Sequence, residues 1–342
     1  MPIRTDLPTM KDVARIAGVS IQTVSAIINH KPGITQPTRD RVLSAIEKLG
    51  YHPYSVARSL RTRQTHSIAL VVSDIANPFY ATVASAIEEF AHGAGYGLML
   101  HNTHNDIARE TKYIQTISER WIDGAIIVST RNEVVGLSEL SSARIPVVAI
   151  NHTPASYEGP SVTTDNVLAG RIAAEYLVSL GHKHISHIGG PVRLYLSHER
   201  ETGFFEVLQE NGLKPIICPE NAGEWDCESG YRSMRHLLEC CETRPTAVFA
   251  ANDRLAIGAM RAIRQAGLQI PRDISVIGMD DIEYSAFVSP PLTTVGQPIV
   301  KMALTAVELL IKLLSGENPQ NTRIILAPEL IIRESTCLPP SL

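Results

Sequence analysis

From position 67 onward the sequence alternates, twice over, between short apolar runs and longer stretches with helical periodicity. The first run, Ser-Ile-Ala-Leu-Val-Val-Ser at 67–73, has no polar residue between its ends. A strand with one wet face would alternate polar and apolar residues, so this one is expected to be buried on both faces. Strands are expected at 67–73, 97–100, 125–129 and 147–151, with helices at 78–92 and 108–119. This order dictates a parallel sheet covered by helices. The pattern then repeats. An extended piece at 161–164 leads to a helix at 167–180, a strand at 184–189 and a helix at 197–209. A strand near 216–218 follows, then a helix at 228–240 and strands at 247–251 and 275–278 around a helix at 254–266. The chain closes with a strand at 293–295, a helix at 299–314, and strands at 323–326 and 329–332. Two similar α/β halves with a late return helix imply two lobes joined by several crossings. Ligands of open parallel sheets sit beyond the carboxyl ends of the strands, which puts a cleft between the lobes.

The first fifty residues have a different texture. At 9–29 two short helical patterns meet at Gly18. Thr9 can cap the first with its hydroxyl, and Asp12, three residues on, completes a capping box. Val13, Ile16 and Ala17 share a helical face, and Ala14 is small where two helices must cross closely. Gly18 ends the helix where a positive φ is cheap. Ser20 caps a second helix whose Val24, Ile27 and Ile28 face inward, leaving Ile21, Gln22, Ser25 and Ala26 outward. A third helix, capped by Thr35 and ended by Gly50, presents Val42, Ile46 and Leu49 to the first two. The arrangement is a helix-turn-helix with a free face suited to a DNA major groove, or else an ordinary helical hairpin.

Charge separates these readings. Residues 1–63 hold ten Lys and Arg against four Asp and Glu, whereas the remainder holds 21 against 31. A basic head on an acidic body means that only the head suits a polyanion. Between them, Val56, Ala57 and Leu60 alternate with Arg58, Arg61 and Arg63 in a segment too short to be a stable helix alone. It suits a hinge that orders against DNA and a partner copy.

Several functions are disfavoured. No apolar run reaches membrane-spanning length, and the first residues have no apolar signal core, so a cytoplasmic protein is expected. The five cysteines (Cys218, Cys227, Cys240, Cys241, Cys337) lack C-x-x-C spacing and, being odd in number, make no disulfide framework. His182, His184 and His187 lack a nearby carboxylate or cysteine ligand set and read as turn and strand residues. Gly189-Gly190 lacks phosphate-loop or dinucleotide spacing, and no G-x-S-x-G occurs. No cofactor, no metal and no catalysis are expected.

The residues resemble, over most of the chain, the lactose-repressor (LacI/GalR) family of bacterial transcription regulators. The resemblance rests on Met-Lys-Asp-Val-Ala-Arg-Ile-Ala-Gly-Val-Ser with Thr-Val-Ser, and Leu-Gly-Tyr-His-Pro at 49–53. It continues with Leu-Gly-His at 180–182, Ala-Asn-Asp at 251–253, Ile-Ser-Val-Ile-Gly-Met-Asp-Asp at 274–281 and Pro-Pro-Leu-Thr-Thr at 290–294. It implies a small all-α helix-turn-helix head at 1–53, a hinge and linker at 54–65, and a two-lobed periplasmic-binding-protein-like α/β core with parallel sheets at 66–342. One lobe is expected to span 66–163 and 296–323, the other 164–295 and 324–340. It further implies a homodimer on near-palindromic double-stranded operator DNA, with an effector that changes the angle between lobes. No leucine heptad follows Cys337, so a dimer rather than a tetramer is expected.

By position, Ile21, Gln22 and Ala26 match the family's base-reading residues. Gln22 can pair bidentately with adenine, and Ile21 can touch a thymine methyl. Many members carry arginine where this chain has Ala26, so its half-site should differ at the base arginine would read. Thr9, Ser20, Thr23, Ser25 and Asn29 complete the implied DNA-binding set in the head. Leu60 matches the leucine that wedges into the minor groove at the centre of the site, beside Ala57. Tyr54 departs from the asparagine often found before the hinge, which leaves Ser55 to cap it.

Asn151, Arg200, Asn252, Asp280 and Gln297 match effector-binding positions, and Phe79 and Trp225 match positions that cover the ligand. Ser73, Tyr80 and Ser129 complete the implied effector set. Asp280 can accept two sugar hydroxyls and Arg200 can donate two hydrogen bonds through its planar fork. A flat ring against a sugar C–H face with polar groups at the rim makes a carbohydrate site. The expected effector is a sugar or sugar derivative, with a purine corepressor as the alternative. A non-exported sugar-binding protein and a sugar-metabolising enzyme are the rival functions. The first is opposed by the basic head, the second by the divergent directions of adjacent Asp280 and Asp281. Leu60→Ala should cost operator affinity and spare effector binding. A gel-shift titration with unchanged operator affinity would show that the hinge wedge is assigned to the wrong residue.

Overall fold

The computed structural model describes residues 8–29, 31–51, 64–119, 122–128, 137–153, 157–217, 223–241, 243–320 and 322–340. The expected hinge residues Ala57 and Leu60, the candidate Ser129, and Cys218 lie outside them. The chain divides into two units, Met1–Thr65 and His66–Leu342.

The first unit is a three-helix head: α1 (Met10–Ala17), α2 (Ile21–Ile28) and α3 (Gln36–Leu49). Gly18 follows α1 at φ 64°, the left-handed conformation that a helix end closed by glycine requires. Ser20 caps α2 by accepting the Thr23 N–H at 3.1 Å. The start of α1 is closed by the expected capping box between Thr9 and Asp12. The Thr9 backbone N–H and its hydroxyl both donate to the Asp12 carboxylate, at 3.0 and 2.7 Å. Val13, Ala14 and Ala17 are buried against Val24, Ile27, Val42, Ala45 and Tyr51. Ile16, expected in that face, is 45% exposed.

The second unit holds two sheets. The first has six strands in the order β10-β5-β4-β3-β1-β2. These are β1 (Ser67–Val72), β2 (Gly97–Asn102), β3 (Gly124–Val128), β4 (Val147–Asn151), β5 (Ser161–Thr164) and β10 (Arg323–Leu326). All their pairings are parallel. The second has five strands in the order β11-β9-β8-β7-β6. They are β6 (Ile185–Ile188), β7 (Ala247–Ala250), β8 (Ser275–Asp280), β9 (Thr293–Gly296) and β11 (Glu329–Ile331). Only β11, at the edge, pairs antiparallel. The central strands β1, β3, β4, β7 and β8 are buried almost throughout, as their unbroken apolar runs require.

The chain passes between the sheets at 165, at 297–298 and at 327–328, not quite where the sequence placed the lobe boundaries. Thr164 and Arg323–Leu326 pair with one another in the first sheet, and Gly296 pairs with Asp280 in the second. Asp165 ends pairing by capping the next helix, while Pro298 and Pro328 cannot donate to a ladder. The strand expected near 216–218 is reduced to a single parallel bridge, Ser186 to Ile216, next to Pro215.

Helices cover both sheets. On the first lie α4 (Pro78–Gly93), α5 (Ile107–Glu119), α6 (Leu137–Ser142) and α11 (Ile299–Leu314). On the second lie α7 (Asn166–Ser179), α8 (Tyr195–Glu210), α9 (Cys227–Cys240) and α10 (Asp253–Gln265). These last four pack as two pairs through reciprocal glycines. A Cβ on Gly170 of α7 would lie 2.0 Å from the Arg200 carbonyl oxygen, and one on Gly203 of α8 would lie 1.9 Å from that of Val167. Gly230 of α9 and Gly258 of α10 repeat the arrangement against Leu255 and Cys227, at 2.0 and 1.9 Å. Backbone so close tolerates no methyl, and these contacts fix where α8 and α10 present their first turns. Gly203→Ala should therefore lower stability by about 1–3 kcal/mol through overpacking. A urea denaturation midpoint equal to that of the unsubstituted chain would refute this close-crossing account.

Candidate functional site

The carboxyl ends of the strands in the two sheets converge on one cavity. Asn151 closes β4 and Asp280 closes β8, at φ 71° and 115°. Both are left-handed conformations that cost a non-glycine residue on the order of 1–3 kcal/mol, and such strain gathers at functional sites. Asn252 follows β7 and caps α10, accepting the Leu255 N–H at 2.8 Å. Phe79 and Tyr80 sit in the first turn of α4, Leu196 and Arg200 one turn apart on α8, and Gln297 on the crossing before α11. With Asn77 and Trp225 these residues line a cavity of about 20 Å³, room for a single water.

A hydrogen-bonded network organises the cavity. Arg200 is buried and two of its donors are used: Nε donates to Asn166 Oδ1 at 3.0 Å and Nη1 to the Ala251 carbonyl. Its guanidinium also lies 5.3 Å from the Trp225 ring centroid and 3.8 Å from Asp280 Oδ1. Asp280 Oδ1 accepts from Gln297 Nε2 at 2.8 Å, and Gln297 Oε1 accepts from the Thr164 hydroxyl at 2.8 Å. Thus Gln297 ties the end of a first-sheet strand to the end of a second-sheet strand. Burial pushes the Asp280 carboxyl up to about 6, against the pull of Arg200 and Gln297. Burial lowers the Arg200 pKa from its ordinary value, opposed by Asp280. Trp225 packs on Gly190, where a Cβ would fall 2.3 Å from its ring. Its Nε1, shielded from solvent, has no hydrogen-bond partner among the described residues.

Most expected effector residues meet here: Phe79, Tyr80, Asn151, Arg200, Trp225, Asn252, Asp280 and Gln297. Ser73 does not line the cavity; it is buried behind it, 3.4 Å from the Val128 carbonyl. Asn77 and Leu196 are cavity residues that sequence reasoning missed. Asn77 caps α4 through the Phe79 N–H at 3.1 Å, and the Asn-Pro step was its signal. Leu196 stands four residues before Arg200, on the same helical face, but an aliphatic residue there reads as core.

The neighbouring carboxylates serve structure. Asp253 accepts from the Ile282 N–H and the Ser285 and Thr294 hydroxyls at 2.9, 2.7 and 2.6 Å. Burial and the nearby Asp280 push its carboxyl up to about 7, opposed by those donors. Asp281 turns away to pair with Arg333 at 2.6 Å, so Asp280 and Asp281 form no acid–base pair. The histidines are separate structural residues. His182 bridges Thr246 and the Cys337 carbonyl, and His187 bonds the Phe249 carbonyl. Among the described residues no group of three His, Cys, Asp or Glu could hold a metal. No described helix is long and apolar enough to cross a membrane.

In the head, Ile21 is 42% exposed and Gln22 is exposed, while Ser25 and Ala26 are half-buried. The exposed face of α2 is thus the one that the sequence left free. Ser20 and Thr23 are joined hydroxyl to hydroxyl at 2.9 Å at its start, and Asn29 donates to the Ser25 carbonyl at its end.

Comparison with known proteins bears on both units. Residues 9–54 match the family of bacterial regulatory proteins of the lacI type, and residues 174–336 match the periplasmic binding protein-like domain. The chain is 34% identical over 330 residues to the ribose operon repressor of Escherichia coli K12, covering 96% of this chain and 100% of that one. The chain belongs to the LacI family. It is 36% identical over 332 residues to the transcriptional repressor PurR of Pasteurella multocida, covering 96% and 98% of the two chains. A lac repressor dimer bound to operator and the anti-inducer ONPF superposes with a TM-score of 0.86 at 29% identity, covering 96% and 99%. As a LacI-family member this chain is a DNA-binding transcriptional regulator, with a helix-turn-helix head and a two-lobed α/β core.

The buried carboxylate of this LacI-family core has a measurable consequence. The Asp280 pKa is raised from 3.8 to about 6 on folding, so its contribution to stability is full below pH 3.8 and lost as pH rises through about 6. Asp280→Asn removes that titration. Thermal midpoints of the variant should fall less steeply than those of the unsubstituted chain across this window. Parallel curves would show that Asp280 does not titrate there.

Proposed function

We propose that this regulator is a repressor that binds a near-palindromic operator as a homodimer and is controlled by a sugar or sugar derivative in the cleft between its lobes. The observation that carries the effector reading is the ring of polar side chains closing on the cavity with aromatic walls. Asp280 accepts; Asn151, Asn252 and Gln297 can both donate and accept; the Trp225 Nε1 donates. A sugar presents hydroxyls that donate and accept around its edge and C–H faces that pack on rings, and this lining meets both.

The ribose operon repressor and PurR are similarly close relatives, so a purine is the second reading. The aromatic geometry favours the sugar. A planar purine gains most from rings that stack offset on its face. Here the Phe79 and Tyr80 rings meet edge to face at 79°, and the Trp225 ring carries Arg200 against it.

In the head, Ile21, Gln22 and Ala26 are the proposed base-reading residues. Thr9, Ser20, Thr23, Ser25 and Asn29 would position the head on phosphates, and Ala57 and Leu60 would enter the minor groove from the hinge. The neighbouring lac repressor structure, a dimer on operator, supports the same assembly. Domain limits of 1–53 for the head, 54–65 for the hinge and 66–342 for the core are part of this reading.

Titration calorimetry against a panel of sugars and purines tests the effector. One sugar should bind saturably, and Asp280→Ala should weaken it by about tenfold or more, since each charge-assisted hydrogen bond contributes about 1.5–3 kcal/mol. Tight purine binding with no sugar response would sink the sugar reading.

A further inference from the structure

The exposed face of α2 carries no charge. The helix reads Ile-Gln-Thr-Val-Ser-Ala-Ile-Ile, without a lysine, arginine, histidine, aspartate or glutamate. The arginine and lysine nearest to it in the chain lie on other elements. Arg15 is on α1 and is engaged by Asp12 at 2.8 Å. Lys31 is in the loop after α2, where its backbone N–H donates to the Ala26 carbonyl at 2.9 Å. The polar groups of the face are not equally available. Ser20 and Thr23 share their hydroxyls at 2.9 Å, and the Thr23 N–H donates to Ser20 Oγ at 3.1 Å. The Asn29 amide donates to the Ser25 carbonyl at 2.5 Å and reaches the Ser25 hydroxyl at 3.4 Å. The Gln22 carboxamide, by contrast, is exposed and makes no hydrogen bond among the described residues. Its companions on the face are apolar: Ile21, 42% exposed, beside it, and Ala26, half-buried, one turn on.

The helix thus offers a major groove one unengaged amide between two hydrocarbon groups. Guanine presents two acceptors there, N7 and O6, and is held by paired donors such as a guanidinium. The Gln22 amide has one donor group and one acceptor. It matches adenine, whose N7 accepts while N6 donates. Laid on guanine in the same way, its oxygen would meet O6, acceptor against acceptor. Ile21 and Ala26 gain from contact with a thymine methyl. Opposite cytosine they would cover the N4 donor without accepting from it, and a donor left unpaired carries its full desolvation cost.

We propose that the base pairs read by α2 in each operator half-site are A·T pairs, and that this helix carries no reader of guanine. The assignment rests on the reading of α2 as the base-reading helix and adds the sequence class of the operator to it. Any G·C pairs of the half-site fall at positions that α2 does not read. Affinity for phosphates comes from the basic residues outside α2, which carry no base information.

The test is selection from a library of random DNA duplexes by the full chain, with and without the panel of sugars and purines. The variants Ile21→Ala and Gln22→Ala identify the positions beneath α2, and neither residue is part of the head core. Sequence preference at those positions should fall about fivefold or more, and each should hold an A·T pair in the sites selected by the unsubstituted chain. Gln22→Arg supplies paired donors at the same place, so it should exchange adenine for guanine at the position relaxed by Gln22→Ala. Two outcomes would overturn the proposal while leaving α2 as the reading helix: a G·C pair at a position relaxed by Ile21→Ala or Gln22→Ala, or no gain of guanine with Gln22→Arg. An enriched site whose preferences neither alanine variant changes, or no enriched site in any condition, would instead refute α2 as the base-reading helix, and the A·T assignment with it.

Discussion

The buried pairing of Arg200 with Asp280 is the constraint on which the rest of the core depends. Arg200 is 3% exposed and Asp280 5%, and their closest approach is 3.8 Å. Removing two charges from water costs several kcal/mol per ion, and such pairs seldom add net stability. The pair is held by the groups around it instead. Asn166 and the Ala251 carbonyl each take one donor of Arg200, and Gln297 occupies Asp280 while bonding Thr164. Through that chain the ends of strands in both sheets and two of the interlobe crossings share one network. A ligand that alters any member is felt by both lobes, which is the physical requirement for coupling a small molecule to a change of lobe angle.

That network needs its members placed to within a few tenths of an ångström, and glycine provides the placement. The reciprocal contacts Gly170–Arg200 and Gly203–Val167 set α8 against α7, so Arg200 emerges at the cavity. Gly230 and Gly258 do the same for α10, whose cap is Asn252. Gly190 clears the space for Trp225. The polar centre thus rests on backbone packing that no side chain could reproduce, and strain at Asn151 and Asp280 turns the last residue of each strand into the cavity.

Much of this was legible in the chain. Apolar runs without alternation announced parallel strands buried on both faces. Polar residues just beyond those runs, Asn151, Asn252 and Asp280, fell where the carboxyl ends of such strands must lie. The features that escaped notice lack a periodic signal. Asn77 looked like an ordinary cap and Leu196 like core, because only the fold brings them to the cavity. The lobe boundaries fell a few residues away from expectation, since the chain leaves each sheet where a cap or a proline stops pairing, not where the apolar pattern fades. Spacing alone places Ile16 inward, yet it is 45% exposed while Val13, Ala14 and Ala17 fill the core.

The central claim is that an interlobe cleft organised by Arg200 and Asp280 governs a head that reads DNA. DNase footprinting of the DNA upstream of the chain's own gene, with and without the sugar that binds the cleft, tests it most directly. The account predicts one protected near-palindrome whose protection changes when the sugar is added. Absence of a protected palindrome in both conditions, or protection indifferent to a sugar bound in the cleft, would contradict it.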